Sequence, residues 1–170
     1  GGFSNLTVLN GPGAAVTGGD CGPANVLMDA WARRAFRRPM DEDGEIAAMG
    51  EPNDDLLETM WAHRFFAQTW PKSTGRDEFS EDWFNRCLSV RPDLSAEDVM
   101  ATLLALSVRA VKSCLPVTIE QVYVCGGGAR NETFLNQLRF ECAPVEVLPI
   151  ENLGLPAQAV EAAAFAWLAA

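Results

Sequence analysis

Apolar residues recur along this chain at two spacings, one near 3.6 residues and one of two, and the switches between them mark out its elements. Two short strand-like runs, Leu6–Leu9 and Ala14–Thr17, flank the turn sequence Asn10-Gly11-Pro12-Gly13 and predict a β-hairpin. Helical spacing begins after Pro23, where Leu27, Trp31 and Ala35 fall on one face; proline suits a first helical turn, in which its missing N–H has no partner. A short helix is predicted to end at Gly50. A longer one runs from about Asn53 to Thr69, with Leu57, Trp61 and Phe65, joined by Met60, on its buried face and Pro71 as its stop. Ser80 is placed to cap a short helix carrying Trp83, Phe84 and Leu88. Ser95-Ala96-Glu97-Asp98 opens a long helix through Val99, Leu103, Leu106 and Ala110 to Cys114, stopped by Pro116.

The sharpest change of pattern comes next. Val122-Tyr123-Val124-Cys125, strand-like in character, runs into Gly126-Gly127-Gly128 and then Ala129-Arg130-Asn131, after which Phe134, Leu135 and Leu138 recur at helical spacing. That is strand, glycine turn, helix. A turn without Cβ atoms lets a ligand approach the backbone, and the unpaired N–H groups at a helix start carry the positive end of its dipole. The same pattern also serves as a tight strand-to-helix turn with no ligand. A second strand, Val145–Leu148, leads to a final helix from Pro156 to about Leu168, built almost wholly of alanine, with Phe165 and Trp167 as its large residues and Glu161 as its only charge.

Composition narrows the picture. The 170 residues are 48% hydrophobic, enough for the core of one domain. No apolar run approaches the roughly 18 residues needed to cross a bilayer and no basic-then-apolar leader opens the chain, so a soluble cytoplasmic protein is expected, without a membrane partner. A net charge of −10 argues against a nucleic-acid surface, and the cluster Arg33-Arg34-Arg37-Arg38 reads as a solvated helix face. Five cysteines without a CxxC pair, and His63 as the single histidine, speak against zinc and disulfide frameworks; reduced thiols are expected. His63 lies off the apolar stripe with no catalytic role. The acidic turn Met40–Gly44 lacks the spacing of a calcium loop and reads as solvated. Asp20, between glycines and ahead of a helix start, reads either as a cap or as a ligand for Mg²⁺ or acceptor in a phosphate site. Pro71–Asp77 has the lysine and hydroxyls of a P-loop but not its leading glycine or its strand.

A resemblance ties these pieces together. Gly1-Gly2-Phe3-Ser4-Asn5-Leu6, Asp20-Cys21-Gly22-Pro23-Ala24-Asn25, Pro71 to Arg76, Val124 to Asn131, and Leu153-Gly154-Leu155-Pro156 with Glu161-Ala162 resemble, in order and across the whole chain, the anhydro-N-acetylmuramic acid kinase family. The resemblance implies the sugar kinase, actin and heat-shock ATPase superfamily, whose two ribonuclease-H-like domains close over ATP. Residues 1–170 would be a fragment, the single C-terminal, nucleotide-binding lobe: an α/β domain with a mixed sheet flanked by helices, lacking its first strand. Gly1, Gly2 and Asn5 would belong to the second phosphate loop; Asp20, Gly22 and Asn25 would line the nucleotide side; Gly126, Gly127, Gly128 and Asn131 would face adenosine. Glu161 would reach the sugar, Asp20 would be the Mg²⁺ ligand, and ATP and Mg²⁺ the cofactors. The implied reaction opens the anhydro ring of 1,6-anhydro-N-acetylmuramic acid with water and places the γ-phosphoryl group of ATP on the freed O6, giving N-acetylmuramic acid 6-phosphate for cell-wall recycling. Its general base would lie upstream of Gly1, so no catalytic residue is expected in this chain and the missing N-terminal lobe is its necessary partner; a homodimer is also open. Cys21, Ala24 and Ala157-Gln158 depart from the family's usual Thr, Gly and Gly-Asp. The competing reading is a non-catalytic nucleotide-binding or interaction module of the same fold. A dinucleotide-dependent oxidoreductase fits worse, because the glycines here are consecutive and come late.

Overall fold

The structure, a computed structural model, describes residues 2–169, with the backbone alone at 168. In chain order the elements are β1 (Phe3–Val8), β2 (Thr17–Pro23), α1 (Asn25–Trp31), α2 (Glu45–Met49), α3 (Asp54–Trp61), α4 (Glu81–Leu88), α5 (Ala96–Cys114), β3 (Gln121–Val124), α6 (Glu132–Cys142), β4 (Glu146–Pro149) and α7 (Val160–Leu168). This is an α/β arrangement of small sheets flanked by helices. The single mixed sheet expected from the sequence is not formed among the described residues. β1 pairs antiparallel with β2, and β3 pairs parallel with β4 through the α6 crossover, but nothing joins the two ladders.

The hairpin is present with its second strand displaced. Gly11 and Gly13 both take positive φ, which widens the turn and leaves Ala14–Val16 exposed, and pairing runs instead through Thr17–Pro23. Gly18 to Gly22 therefore belong to a strand rather than to a turn before a helix. Packing overrides their poor strand propensity: a Cβ on Gly19 would lie 3.0 Å from the backbone of Lys72, and one on Gly22 would lie 3.0 Å from the Phe66 ring. The register slips between Ser4 and Asn5, whose partners are Gly22 and Asp20, so Cys21 is the extra residue of a β-bulge. Pro23 closes β2, and α1 starts two residues later.

α5 is the centre of the molecule. Every residue from Val99 to Val108 is buried, because β2, α1, α2, α3 and α6 all pack around it. Its two buried hydroxyls are satisfied: Thr102 donates to Asp98 O and accepts from Asn53 N–H, and Ser107 donates to Leu103 O. Ser95 caps α5 and Ser80 caps α4, as the sequence predicts. α1 runs on as a single π turn over Ala32–Phe36, and the extra residue in that turn rotates the stripe, so Ala32 is buried and Ala35 is exposed. α3 stops at Trp61, eight residues before the predicted end, with Leu56 and Met60 rather than Leu57 and Trp61 as its fully buried positions. Phe65 and Phe66 then enter the core from a turn, where with Phe79, Trp83 and His63 they form an aromatic cluster. The acidic turn is not wholly solvated either: Asp41 is buried and accepts from the Ile46 and Ala47 N–H groups at 2.8 and 3.0 Å, holding the start of α2. Glu161–Trp167 of α7 are exposed along their length. No helix among the described residues is long and apolar enough to cross a membrane.

Candidate functional site

A cavity of about 230 Å³ lies between the two ladders. Its floor is apolar, formed by Phe3 and Leu6 of β1, Met28, Val111, Val122, Phe134 and Leu138. Its rim is polar and comes from four separate stretches: Ser4 and Asn5 on β1, Asn25 at the start of α1, Cys125 to Gly128 after β3, and Gln158 with Glu161 at the start of α7. Such a site combines burial for a flat apolar body with hydrogen-bonding groups at one side.

The glycine loop is shaped by three local facts. Gly126 has φ +75°, a conformation a side chain resists, and it turns the chain sharply out of β3. Its N–H is tied to Ala157 O at 3.0 Å, which pins the loop to the segment leading into α7. Gly127 then approaches Asn25 so closely that a Cβ there would lie 3.0 Å from the Asn25 amide nitrogen. The loop does not open directly into α6, as the sequence suggests. A 3₁₀ turn over Gly127–Arg130 intervenes, and Asn131 caps α6 with its own side chain, accepting from Phe134 N–H at 2.8 Å.

Of the residues singled out in the sequence, Asn5, Asn25, Gly126, Gly127, Gly128 and Glu161 are brought together around this cavity. Others are elsewhere. Asn131 is buried in its capping role and does not line the cavity. Gly2 is also off the lining; its carbonyl accepts from Ala24 and Val26 N–H, so it closes the start of α1. Gly1 lies outside the described residues. Gly22 faces Phe66 and Ala110 in the core. Asp20, in β2 rather than before a helix, accepts from Ser73 Oγ at 3.2 Å and Thr74 N–H at 2.9 Å and so fastens the 72–74 loop to the hairpin. Lys72 of that loop donates to Phe65 O at 3.0 Å and sits 4.3 Å over the Phe65 ring, bracing the turn after α3.

The residues present do not fit a metal site. Among those described, no group of three carboxylate, histidine or cysteine side chains converges, and the Asp20 carboxylate lies away from the cavity on hydroxyl and amide partners. Ser4, within the stretch Gly1–Asn5, and Gln158, at a departure from the family's pattern, join the rim, as does Cys125, which nothing in the sequence singles out. Cys125 follows directly on β3, whose Val122, Tyr123 and Val124 also line the cavity. Its thiol is pushed up by partial burial and, further, by the nearby Glu161 and Glu151 carboxylates. The lining holds no lysine or arginine.

Residues 1–170 match the family model described as anhydro-N-acetylmuramic acid kinase. Similar curated proteins bear the same description. The one from Pseudomonas paraeruginosa (strain DSM 24068 / PA7) is 45% identical over 172 residues, covering 99% of this chain and 47% of that protein. The one from Burkholderia lata is 44% identical over 176 residues, covering 99% and 46%, and that from Chromobacterium violaceum 45% over 172 residues, covering 99% and 47%. The chain thus spans about half the length of the curated relatives it matches.

Proposed function

This chain belongs to the anhydro-N-acetylmuramic acid kinase family, and from that premise we propose that it supplies the nucleotide-side, C-terminal lobe of a cytoplasmic enzyme that uses ATP to phosphorylate 1,6-anhydro-N-acetylmuramic acid. The observation that carries the reading is the convergence of Asn5, Asn25, Gly126–Gly128 and Glu161 on one cavity from four separate stretches of chain. In this reading the apolar floor receives the purine, the open backbone of Gly127 and Gly128 lets it approach, and the amides of Asn5 and Asn25 supply hydrogen bonds. Glu161, exposed on α7, is the acceptor that orients a sugar hydroxyl. Phosphoryl transfer depends chiefly on positioning and charge neutralisation. A lining without lysine or arginine among the described residues supplies the first and not the second. The groups that neutralise the phosphates, and the base that activates water at the anomeric carbon before O6 accepts the phosphoryl group, are assigned to the half of the relatives' length that this chain does not span.

The ribonuclease-H-like reading of the fold has a physical support of its own. β1 and β3 each pair along one edge only among the described residues, and both border the same cavity. A strand laid between them would complete both ladders and unite them as one mixed sheet.

The test is a coupled assay of the complete gene product with ATP, Mg²⁺ and the anhydro sugar, run on the wild type and on Gly127→Ala. Turnover is expected in the wild type. The variant, whose methyl group crowds Asn25, is expected to show a KM for ATP raised about tenfold, equivalent to ~1.4 kcal/mol of binding, with kcat little changed. Turnover of another sugar but not of this one would overturn the substrate. A variant indistinguishable from wild type would remove the cavity from the nucleotide site.

A further inference from the structure

We propose that Cys21 and Cys114 form a reversible intramolecular disulfide when the protein meets a hydroperoxide, a modification independent of the nucleotide reading above. Cys21 is the extra residue of the bulge in β2 and has no partner across the ladder. A bulge bends its strand and re-aims a side chain; here Cys21 is fully buried where β2 packs on α5. That packing is close. A Cβ on Gly22 would lie 3.3 Å from the Ala110 Cβ, and Ser107 Oγ lies 3.3 Å from Pro23 O. Cys114 is buried one turn beyond Ala110 on the same helix. The two thiols face each other closely enough for each to set the other's acidity.

Within the pair, Cys114 is the thiol that its surroundings hold lower. Contact with the Cys21 thiol holds it below the ordinary thiol range, with the Ser113 hydroxyl and the Lys72 ammonium adding to this, against the opposing effect of burial. The same contact and its own burial push Cys21 up, as does the neighbouring Asp20 carboxylate, with Lys72 opposing them. The chemistry then has two steps. The Cys114 thiolate attacks the O–O bond, forming a sulfenic acid and expelling an alkoxide or hydroxide that takes up a proton. The Cys21 thiol next attacks that sulfur, the S–S bond forms, and the hydroxyl leaves as water with the thiol proton. Two electrons pass from the two thiols to the peroxide bond. Cys87 and Cys142 are buried with raised thiols and no such neighbour among the described residues, whereas Cys125 is exposed and serves as the internal gauge of oxidant.

The experiment treats the complete gene product with hydrogen peroxide until Cys125 is oxidised, unfolds it in a thiol-blocking reagent and maps its peptides by mass spectrometry. The expected result is that the Cys21 and Cys114 peptides of one chain are joined with the loss of two hydrogens, and that the oxidised protein, before unfolding, melts at a higher temperature than the reduced form and returns to it with dithiothreitol. Cys114→Ser, or Cys21→Ser if that variant does not fold, is expected to abolish the joined peptide. Oxidised Cys125 beside blocked, unlinked Cys21 and Cys114 would overturn the proposal, and so would a sulfinic acid at Cys114 with Cys21 still a free thiol.

Discussion

His63 is the one side chain of the aromatic cluster that can change its charge near neutrality. Its ring lies 4.8 Å from that of Phe79 and 5.4 Å from that of Trp83, and its Nδ1 accepts from Phe65 N–H at 3.3 Å, a bond that a proton on that nitrogen would abolish. Burial pulls its pKa below 6.5, with Arg64 adding to this and Glu78 opposing it. Because the folded value is the lower one, the unfolded chain takes up the proton first. Stability is therefore full above about pH 6.5 and falls as the pH drops from there towards the folded value. Urea unfolding at about pH 7.5 and about pH 5.5 is expected to show a larger drop in midpoint for the wild type than for His63→Gln; equal drops would mean that the imidazole has the same pKa in the folded and the unfolded chain. At this scale the sequence is least transparent. Asn131 and Asn25 look alike as polar residues beside helix starts, yet one is consumed as a cap and the other borders the cavity, a difference set by which helix leaves which strand.

The elements divide according to how local their causes are. Helix starts were legible because Ser80 and Ser95 cap through their own hydroxyls within three residues. Strand β3 and helix α6 were legible from a change of period. The glycine-rich strand β2, the π turn after α1 and the early end of α3 were not; β2 is held by residues distant in the chain, Lys72 against Gly19 and Phe66 against Gly22. The two helices at the extremes of burial make the same point energetically. α5 has tertiary partners on all sides, whereas the nine-residue α7 has exposed side chains at Glu161–Trp167. Helices shorter than about 12 residues are marginal in water without packing. Hydrogen exchange is expected to be slow in the middle of α5 and faster by orders of magnitude in α7 of this chain on its own. Similar protection in both would show that alanine content alone sustains α7.

At the scale of the whole molecule, the α/β class and the rim positions Asn5, Asn25, Gly126–Gly128 and Glu161 were legible in the sequence, while Cys125 and the division into two ladders were not, because strand pairing depends on neighbours in space and not on pattern. That division has a colloidal consequence. An unpaired strand edge is a template on which another chain can add, and among the described residues each of the four strands keeps one edge outside its ladder. The chain's net charge of −10 opposes such growth through repulsion between copies. The range of that repulsion shrinks from ~10 Å at 0.1 M salt to ~3 Å at 1 M. The isolated chain is therefore expected to sediment as a monomer in dilute buffer and to self-associate as sodium chloride is raised across that range; a mass unchanged by salt would mean that the edges are already shielded. Solubility here is a balance between charge and unpaired strand edges, and salt is what tips it.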